Sequence, residues 1–404
     1  MAKQQDEDNH LWQPLAGLVI LDVSQGIAGP YCAAIMRTEG ASVYKVEPPT
    51  GDWGRQVGTR SSEMSALSAS VNGGKQSICI DASQPDGAGL IARLAQKADV
   101  VIESFRPGVA ARVGLDANAL QKANPHQIIL SISGFGESGP GAKRPGSDSV
   151  LQAMTGMMHL NATPDGMPRM VPLHLIDFAA ALYASQLLTL ALLEQARTGK
   201  GRHIKISLLE VAANFQVIAI LEAALADRFE SGHLPVPSGV FETQNGFIRL
   251  TTLTQRNFEA LCGGLDREQW LKDERFATID ARLGHAKEMA AEVAQVLKTK
   301  SASQWLEILE PLGVLCAPVN DYALFQGDPQ VQAMEIFTQI KQAGLGSIPM
   351  PRHPGLPNPP APAPRLGEHS CQVLHALGVA QNEIDQLLDA KIVWQATDLK
   401  ESTP

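Results

Sequence analysis

The sequence predicts an α/β protein whose large domain contains a Rossmann-like parallel sheet. Short apolar runs, typical of buried parallel strands, alternate with helical patterns through the first third of the chain. Alternation at this spacing indicates parallel strands with helices on both faces of the sheet. The length of 404 residues also predicts a second, smaller domain, because a single hydrophobic core rarely grows that large.

The strand series begins with an apolar run, and a helix is expected after it. The predicted strands cover residues 18–23, 41–46, 76–81, 100–103, 127–133 and 203–207. The predicted helices between and after them cover residues 31–39, 86–97 and 208–225, with a long helix starting at Phe178. Ligands bind beyond the carboxyl ends of parallel strands. The loops in that position cover residues 24–30, 47–55, 104–108 and 133–149.

The pattern changes near Ala226, which predicts a small α+β domain over residues 226–325. Asn245 and Gly246 predict the turn of a hairpin. Helical patterns follow at residues 257–262, 285–298 and 302–312. Residues 349–364 are rich in proline, which precludes a regular helix and predicts an extended surface strap. A closing helix is expected at residues 370–377.

Composition argues against several classes of function. The net charge of −9 arises from 33 basic and 42 acidic residues that are spread along the chain, unlike a nucleic-acid-binding surface. The five cysteines are scattered, so we expect them to be reduced and mostly buried. No histidine or cysteine pattern has the spacing of a metal site.

The apolar run at residues 175–193 is long enough to suggest a membrane span. However, Asp177, Ser185, Gln186 and Thr189 interrupt it, and no basic flank anchors both of its ends. The polar N-terminus is unlike a signal peptide. We therefore expect a cytoplasmic protein that does not bind membranes, with this run forming a helix buried in the α/β core.

Asp177 is the only charged residue in residues 173–193. It stands where an extended run gives way to an Ala- and Leu-rich helix. Its carboxylate is therefore expected to face the free N–H groups of the first helical turn and to stay ionised. Two interpretations are open: an ordinary N-cap, or a carboxylate nucleophile held beside an apolar wall.

Two other features suggest functions that the sequence does not support well. Gly134, Gly136 and Gly139 match the dinucleotide-binding pattern, but residues 140–146 cannot open a helix, so the pyrophosphate-binding helix terminus is missing. We interpret this segment as a mobile glycine-rich loop near the ligand edge of the sheet. His174 is either a satisfied core residue or a functional ligand or base.

A series of sequence blocks in a fixed order resembles one family, the family III CoA-transferases of the formyl-CoA and carnitine CoA-transferase type (CaiB/BaiF family). Each block alone is weakly specific, and their order makes the combination specific. The blocks are residues 15–22, 27–31, 40–49 with Gly51 and Asp52, 74–78, 98–108, 131–136, Asp177 with its helix, 197–202, 273–276, 317–319 and 366–369.

The resemblance implies that Asp177 is the catalytic nucleophile and that coenzyme A and acyl-CoA are substrates. It implies no permanently bound cofactor and no metal. It also implies an interlocked homodimer whose large domain is built from both chain ends, here residues 10–225 and 326–404. Lys143 and Arg144 would lie beside the loop that closes over CoA. The positions where the family contacts CoA are Ile27, Ala28, Ile80, Ser104, Phe105 and Arg112.

The sequence departs from the family pattern at several positions. Ser104 stands where asparagine is common, and Pro48 replaces a basic residue that some members use on the CoA phosphates. Ser238 and Gly239 are a short remnant of the glycine run of formyl-CoA transferases, which argues against formyl or oxalyl substrates. With Arg and Lys residues near the loops, we expect short-chain dicarboxylic acids instead.

Two alternatives to CoA transfer remain at this point. The α-methylacyl-CoA racemases share the fold but use the histidine of a Gly-His-Asp motif as a base. The corresponding residues here are Gly146, Ser147 and Asp148, so that base is absent. The third possibility is a CoA-binding protein without catalysis. The favoured hypothesis is CoA transfer from an acyl-CoA to a carboxylic acid through aspartyl anhydride and aspartyl-CoA thioester intermediates.

Overall fold

The computed structural model describes residues 11–226 and 236–396. These residues divide into two compact units. The first unit comprises the described residues up to Ile220 and those from Glu335 onward, and the second comprises those within Leu221–Met334.

The elements alternate along the first unit much as the sequence pattern predicts. The strands are β1 (Val19–Asp22), β2 (Ser42–Glu47), β3 (Arg60–Ser61), β4 (Met64–Ser65), β5 (Gln76–Ile80), β6 (Val100–Glu103), β7 (Ile128–Ser133), β8 (His203–Ser207), β9 (Ser238–Thr243), β10 (Gly246–Thr251), β11 (Leu315–Pro318), β12 (Phe337–Gln342), β13 (Gly346–Pro351) and β14 (Val393–Trp394). The α-helices are α1 (Ala28–Thr38), α2 (Ala66–Val71), α3 (Pro85–Lys97), α4 (Val109–Arg112), α5 (Ala117–Ala123), α6 (Asp148–Met154), α7 (Met157–Leu160), α8 (Leu175–Thr198), α9 (Leu208–Phe215), α10 (Val217–Leu225), α11 (Gln255–Gly264), α12 (Ile279–Gly284), α13 (Ala286–Leu297), α14 (Ala302–Leu309), α15 (Tyr322–Gly327), α16 (Pro329–Ala333), α17 (Ser370–Ala376) and α18 (Gln381–Asp389).

Seven strands of the first unit form one sheet in the order β14-β5-β2-β1-β6-β7-β8. Every neighbouring pair is parallel except β14 with β5. The structure therefore confirms the predicted α/β class and its parallel sheet. The sequence did not predict β14, in which Val393 pairs with Ile80, because two residues are too short to show a periodic pattern.

Apolar layers cover both faces of this sheet. On β1, Ile20 packs into the layer with α1 and α8, and its neighbour Leu21 packs into the layer with α3, α17 and α18. On β6, Ile102 and Val101 divide in the same way. Because both faces are buried, the strands have nearly continuous apolar sequences instead of an alternating pattern.

Helix α8 packs only one of its faces into the core. Ala180, Ala184 and Leu188 are fully buried, while Leu182 and Leu190 are more than half exposed. The expectation of a helix buried throughout is therefore wrong for its outer face. By length and composition α8 is apolar enough to cross a membrane, and the bent pair α9–α10 would add a second such element if taken as one.

Three predicted boundaries differ from the structure. Helix α1 begins at Ala28, so Gly29 and Pro30 lie inside its first turn, where proline is tolerated because it lacks only an N–H that has no helical partner. The helix predicted over residues 208–225 is two helices bent by 62°. The predicted proline-rich strap begins inside β13, because the residues up to Pro351 pair with β12 in a hairpin.

The second unit is built around a three-stranded sheet in the order β11-β10-β9. The predicted hairpin at Asn245 and Gly246 is confirmed, since β9 and β10 pair in an antiparallel register that closes at this turn. Helices α11, α13 and α14 cover the sheet, and Phe258, Met289 and Trp305 form part of the buried core.

Charged side chains are buried at the carboxyl ends of β1 and β2. Lys75 Nζ lies 2.7 Å from Asp22 Oδ2, and both side chains are shielded from solvent. Lys45 Nζ lies 3.1 Å from Asp52 Oδ2. Burial opposes ionisation of Asp22, but the ammonium groups of Lys45 and Lys75 outweigh it and hold the pKa of this carboxyl below its usual value. The cluster links β1, β2 and the loop after β2.

We expect Lys75→Met to lower the free energy of unfolding by about 3–5 kcal/mol, because it leaves a buried carboxylate short of its counter-ion. Urea denaturation at pH 7 measures the loss. Arg202→Met is the matched control, since it breaks an exposed ion pair with Glu194, whose partners are 58% and 43% exposed. Equal losses in the two variants would contradict the role given to the buried pair.

Candidate active site

Asp177 lines a cavity of about 340 Å³ in the first unit. It is the third residue of α8, and its side chain is partly buried. The volume lies at the small end of the range for small-molecule sites. The other lining residues come from the turn after β2, the start of α6 and the segment before α8: Trp53, Ser147, Asp148, Ser149, Met170, Pro172, Leu173 and His174.

The N-terminus of α8 is capped from a distance by Asp148, the first residue of α6. Its Oδ2 accepts hydrogen bonds from the backbone N–H groups of Ile176 (2.7 Å) and Asp177 (3.2 Å). The N-cap interpretation of Asp177 is therefore wrong. His174 occupies the N-cap position, and its side chain makes no capping hydrogen bond. The Asp177 carboxyl is left to face the cavity.

Gln152 connects Asp148 to the segment that leads into α8. Its Nε2 donates to Asp148 Oδ1 at 2.6 Å and to the carbonyl of Leu173 at 3.1 Å. Its Oε1 accepts from the N–H of Val171 at 3.0 Å. One buried amide therefore holds both the capping carboxylate and the cavity wall before α8, which fixes their relative positions.

The pKa of the Asp177 carboxyl is raised to about 7, first by burial and then by the negative charge of Asp148. The expectation that the helix N-terminus holds Asp177 ionised is therefore wrong, because Asp148 accepts those N–H groups instead. A carboxyl that titrates near neutral pH inside a cleft is a candidate for nucleophilic or acid–base chemistry.

Trp53 forms one wall of the cavity and lies directly against Gly26. A Cβ atom on Gly26 would be 2.1 Å from Cζ2 of Trp53, and the φ of Gly26 is +82°, so both the contact and the backbone require glycine. Asp52 accepts from the N–H groups of Gly26 (3.0 Å) and Gly54 (2.9 Å). The buried ion pair of Asp52 with Lys45 therefore holds the two backbone segments that position Trp53.

Comparison with known proteins identifies the chain. A family model described as CoA-transferase family III matches residues 15–370. The chain belongs to CoA-transferase family III. Its relatives include a succinate–glutarate CoA-transferase from Agrobacterium fabrum, 33% identical over 388 residues that cover 90% of this chain and 96% of that protein. The predicted family and enzyme class are confirmed.

Further relatives agree with this assignment. The human succinyl-CoA:glutarate CoA-transferase is 30% identical over 414 residues, which cover 97% of this chain and 92% of that protein. A solved structure of a CaiB/BaiF family protein from Brucella suis matches with a TM-score of 0.81 and 30% identity, covering 90% of this chain and 99% of that one. As a family III CoA-transferase, the chain is an enzyme that uses CoA thioesters and carboxylic acids as substrates.

Four of the predicted CoA contacts of this CoA-transferase lie at the point where the strand order reverses. Ile27 and Ala28 follow β1, and Ser104 and Phe105 follow β6, which is the neighbour of β1 on the other side from β2. Ser104 Oγ accepts from the N–H of Gln25 at 3.0 Å, which joins the two loops. Such a switch point is the usual binding crevice of an open parallel sheet.

The remaining predicted contacts lie elsewhere and stay predictions. Ile80 is 1% exposed and packs in the core, so its side chain presents no surface to a ligand in this structure. Arg112 ends α4, and Lys143 and Arg144 lie in the segment before α6; all three are exposed. None of these residues lines the Asp177 cavity. Within residues 11–226 and 236–396, no group of three or more potential ligands is placed to hold a metal ion.

The sequence did not reveal the functional roles of Asp148, Gln152 and Trp53. Asp148 lies 29 residues before Asp177, so the hydrogen bond between them has no local sequence signature. Gln152 and Trp53 stand in ordinary helix and loop patterns. Only the polar pair at the start of α6, Asp148 with Gln152 one helical turn later, hinted at a function, because side chains four residues apart lie on the same helix face.

Asp177→Asn should become more stable relative to the native protein as pH rises. The folded-state pKa of about 7 lies above the ordinary value of 3.8, so the contribution of this carboxyl to stability is full below pH 3.8 and is lost as pH rises through 7. Asparagine carries no such loss. Urea denaturation from pH 4 to pH 9 should show the variant gaining up to about pH 7 and then holding its gain.

The matched control is Asp165→Asn, at an exposed carboxyl whose pKa is lowered by the hydroxyl of Thr163. That variant should show no gain as pH rises. A pH-independent difference between Asp177→Asn and the native protein would contradict the raised pKa of Asp177.

Proposed function

We propose that this family III CoA-transferase moves CoA from an acyl-CoA thioester to a carboxylic acid with Asp177 as the nucleophile, and that its substrates are short-chain dicarboxylic acids. The observation that carries the proposal is the Asp177 carboxyl facing a cavity while Asp148 satisfies the helix N-terminus behind it. A carboxylate that makes no capping bond keeps its lone pairs for attack on a carbonyl carbon.

The first half of the reaction transfers the acyl group and then CoA to the enzyme. The Asp177 carboxylate attacks the thioester carbonyl, the C–S bond breaks, and a mixed anhydride forms while CoA leaves as the thiolate. The thiolate then attacks the aspartyl carbonyl. This step forms an aspartyl-CoA thioester and releases the donor acid as its carboxylate.

The second half reverses these steps with the acceptor acid. Its carboxylate attacks the aspartyl thioester, giving a second anhydride and free CoA thiolate. The thiolate attacks the acceptor's acyl carbonyl, which forms the new acyl-CoA and regenerates the Asp177 carboxylate. No proton is gained or lost over the cycle, so no separate acid or base is needed.

Water must be excluded, because it would hydrolyse either anhydride. The glycine-rich loop before α6 suits a closing element. At its base, a Cβ on Gly134 would lie 2.9 Å from the Cα of Gly146, so the two ends of the loop are pinched together by backbone contact. Backbone N–H groups of such a loop could donate hydrogen bonds to the oxyanions that develop during each attack.

The names of the relatives support dicarboxylic acids as substrates, since those from Agrobacterium fabrum and human are both described as acting with glutarate. The basic residues first expected to hold a second carboxylate do not carry this support, because Lys143 and Arg144 lie away from the Asp177 cavity. CoA is proposed as a substrate that binds along the crevice between β1 and β6 and is not retained as a permanent cofactor.

Asp177→Ala should abolish CoA transfer and leave CoA affinity nearly unchanged, because the carboxylate forms covalent intermediates and contributes little to binding. In the native protein, acyl-CoA plus hydroxylamine should produce a hydroxamate, or a CoA adduct, on Asp177 that peptide mass spectrometry detects. Asp165→Ala is the control and should keep full transfer. Normal turnover by Asp177→Ala, or exchange of the α-proton without any adduct, would refute the mechanism.

We also propose that the enzyme is a homodimer, interlocked as the family resemblance implies. The outer face of α8 exposes Leu182, Leu190 and Leu193, each by about half or more. Helix α10 has an almost wholly apolar sequence and no buried residue. Apolar faces of this kind are uncommon on isolated soluble proteins and mark association surfaces.

Leu190→Asp should therefore weaken the dimer, because it places a charge in the apolar contact. Sedimentation equilibrium should show a dimer for the native protein and a lower association constant for the variant. Leu312→Asp, at an exposed leucine outside α8 and α10, is the control. A native protein that stays monomeric at micromolar concentration would refute the proposed dimer.

A further inference from the structure

His174 has no evident role in holding the fold together. It occupies the N-cap position of α8, where a side chain normally accepts a hydrogen bond from the first turn, yet its imidazole makes no capping bond. Its side chain is exposed and lines the same cavity as Asp177. Asp148 supplies the cap in its place.

The geometry of the helix start brings His174 and Asp177 to the same side of the cavity. They are the N-cap and N3 residues of α8, the two positions whose side chains approach each other in a capping box. The helix begins with a hydrogen bond from the N–H of Phe178 to the carbonyl of His174 at 3.0 Å, so the N-cap residue is part of the ordered turn. A small acid that reaches Asp177 therefore passes the imidazole.

The charges of the cavity make His174 distinctive. Among the described residues that line it, Asp148 and Asp177 are acidic, and His174 is the only side chain able to carry a positive charge. No lysine or arginine is among these residues. Trp53, Met170 and Leu173 supply apolar surface between the polar groups. Such a cavity suits an acid with a short methylene chain and a polar group at its far end.

We propose that His174 selects the acid, by donating an N–H hydrogen bond to the distal carboxylate of a dicarboxylic acid whose other carboxylate reacts with Asp177. The methylene chain packs against Trp53 and Met170. Imidazole has at least one N–H donor in either protonation state, so the contact forms whether or not the ring is charged. This inference rests on the proposed function and assigns its substrate specificity to one residue.

The test compares two acceptors of equal chain length, glutarate and pentanoate, with succinyl-CoA as the donor. Mass spectrometry of the CoA products gives kcat and KM for each acceptor. The ratio of the two kcat/KM values cancels any effect on the donor half of the reaction. His174→Phe removes both ring nitrogens and keeps a planar ring, and His174→Arg restores a donor to carboxylates. His159→Gln, at an exposed histidine outside the cavity, is the matched control.

We expect the native protein to prefer glutarate and His174→Phe to lower the glutarate:pentanoate ratio about 10- to 100-fold, the range for a lost charge-assisted hydrogen bond. The loss should lie in KM for glutarate and not in kcat. His174→Arg should recover most of the ratio, and His159→Gln should keep the native ratio.

An unchanged ratio in His174→Phe, or an equal loss with both acceptors, would overturn the inference, because the imidazole would then be indifferent or merely structural. A native protein that transfers CoA to pentanoate as well as to glutarate would overturn it too, and would leave Asp177-dependent transfer standing. Transfer to neither acid, with no adduct on Asp177, would refute the proposed function and this inference together.

Discussion

The hydrogen bonds from the start of α8 to Asp148 determine what Asp177 can do. A helix N-terminus attracts the nearest carboxylate, and Asp177, in the first turn, is the obvious candidate. In the structure Asp148 Oδ2 accepts from Ile176 and Asp177 instead. Asp177 consequently gains none of the stabilisation that a cap gives to an ionised carboxyl. It faces the cavity beside a second negative charge, and its pKa rises to about 7 for both reasons, burial first. One capping interaction thus separates a structural carboxylate from a reactive one.

The opposite wall of the cavity depends on a different set of buried charges. Lys45 pairs with Asp52, and Asp52 in turn accepts from the backbone of Gly26 and Gly54 on either side of Trp53. Loops usually move more than the strands they join. Here a fully buried ion pair anchors the loop after β2 to the strand itself, and the contact between Trp53 and Gly26 leaves no room for a larger residue. The site is therefore held from both sides by polar groups that solvent does not reach.

The predictable and the unpredictable parts of this protein differ in the range of the interactions involved. The parallel strands and the turn at Asn245 were predictable, because periodicity and turn chemistry act over a few residues. The family was recognisable from ordered blocks. The bend at Gln216 was not, since it accompanies a side-chain bond to Thr155, 61 residues away, which no local pattern records. Asp148 escaped for the same reason, and without it the protonation of Asp177 was predicted with the wrong sign.

The raised pKa of Asp177 also bears on the proposed intermediates. A raised pKa means that burial and Asp148 destabilise the free Asp177 anion relative to its neutral form. In both the anhydride and the aspartyl-CoA thioester, the same oxygen atoms belong to neutral acyl groups. Acylation of Asp177 therefore relieves the same unfavourable terms that protonation relieves, which brings the covalent intermediates closer in free energy to the resting enzyme. The capping of α8 by Asp148 would in this way favour formation of the acyl-enzyme while still leaving a carboxylate basic enough to attack a thioester.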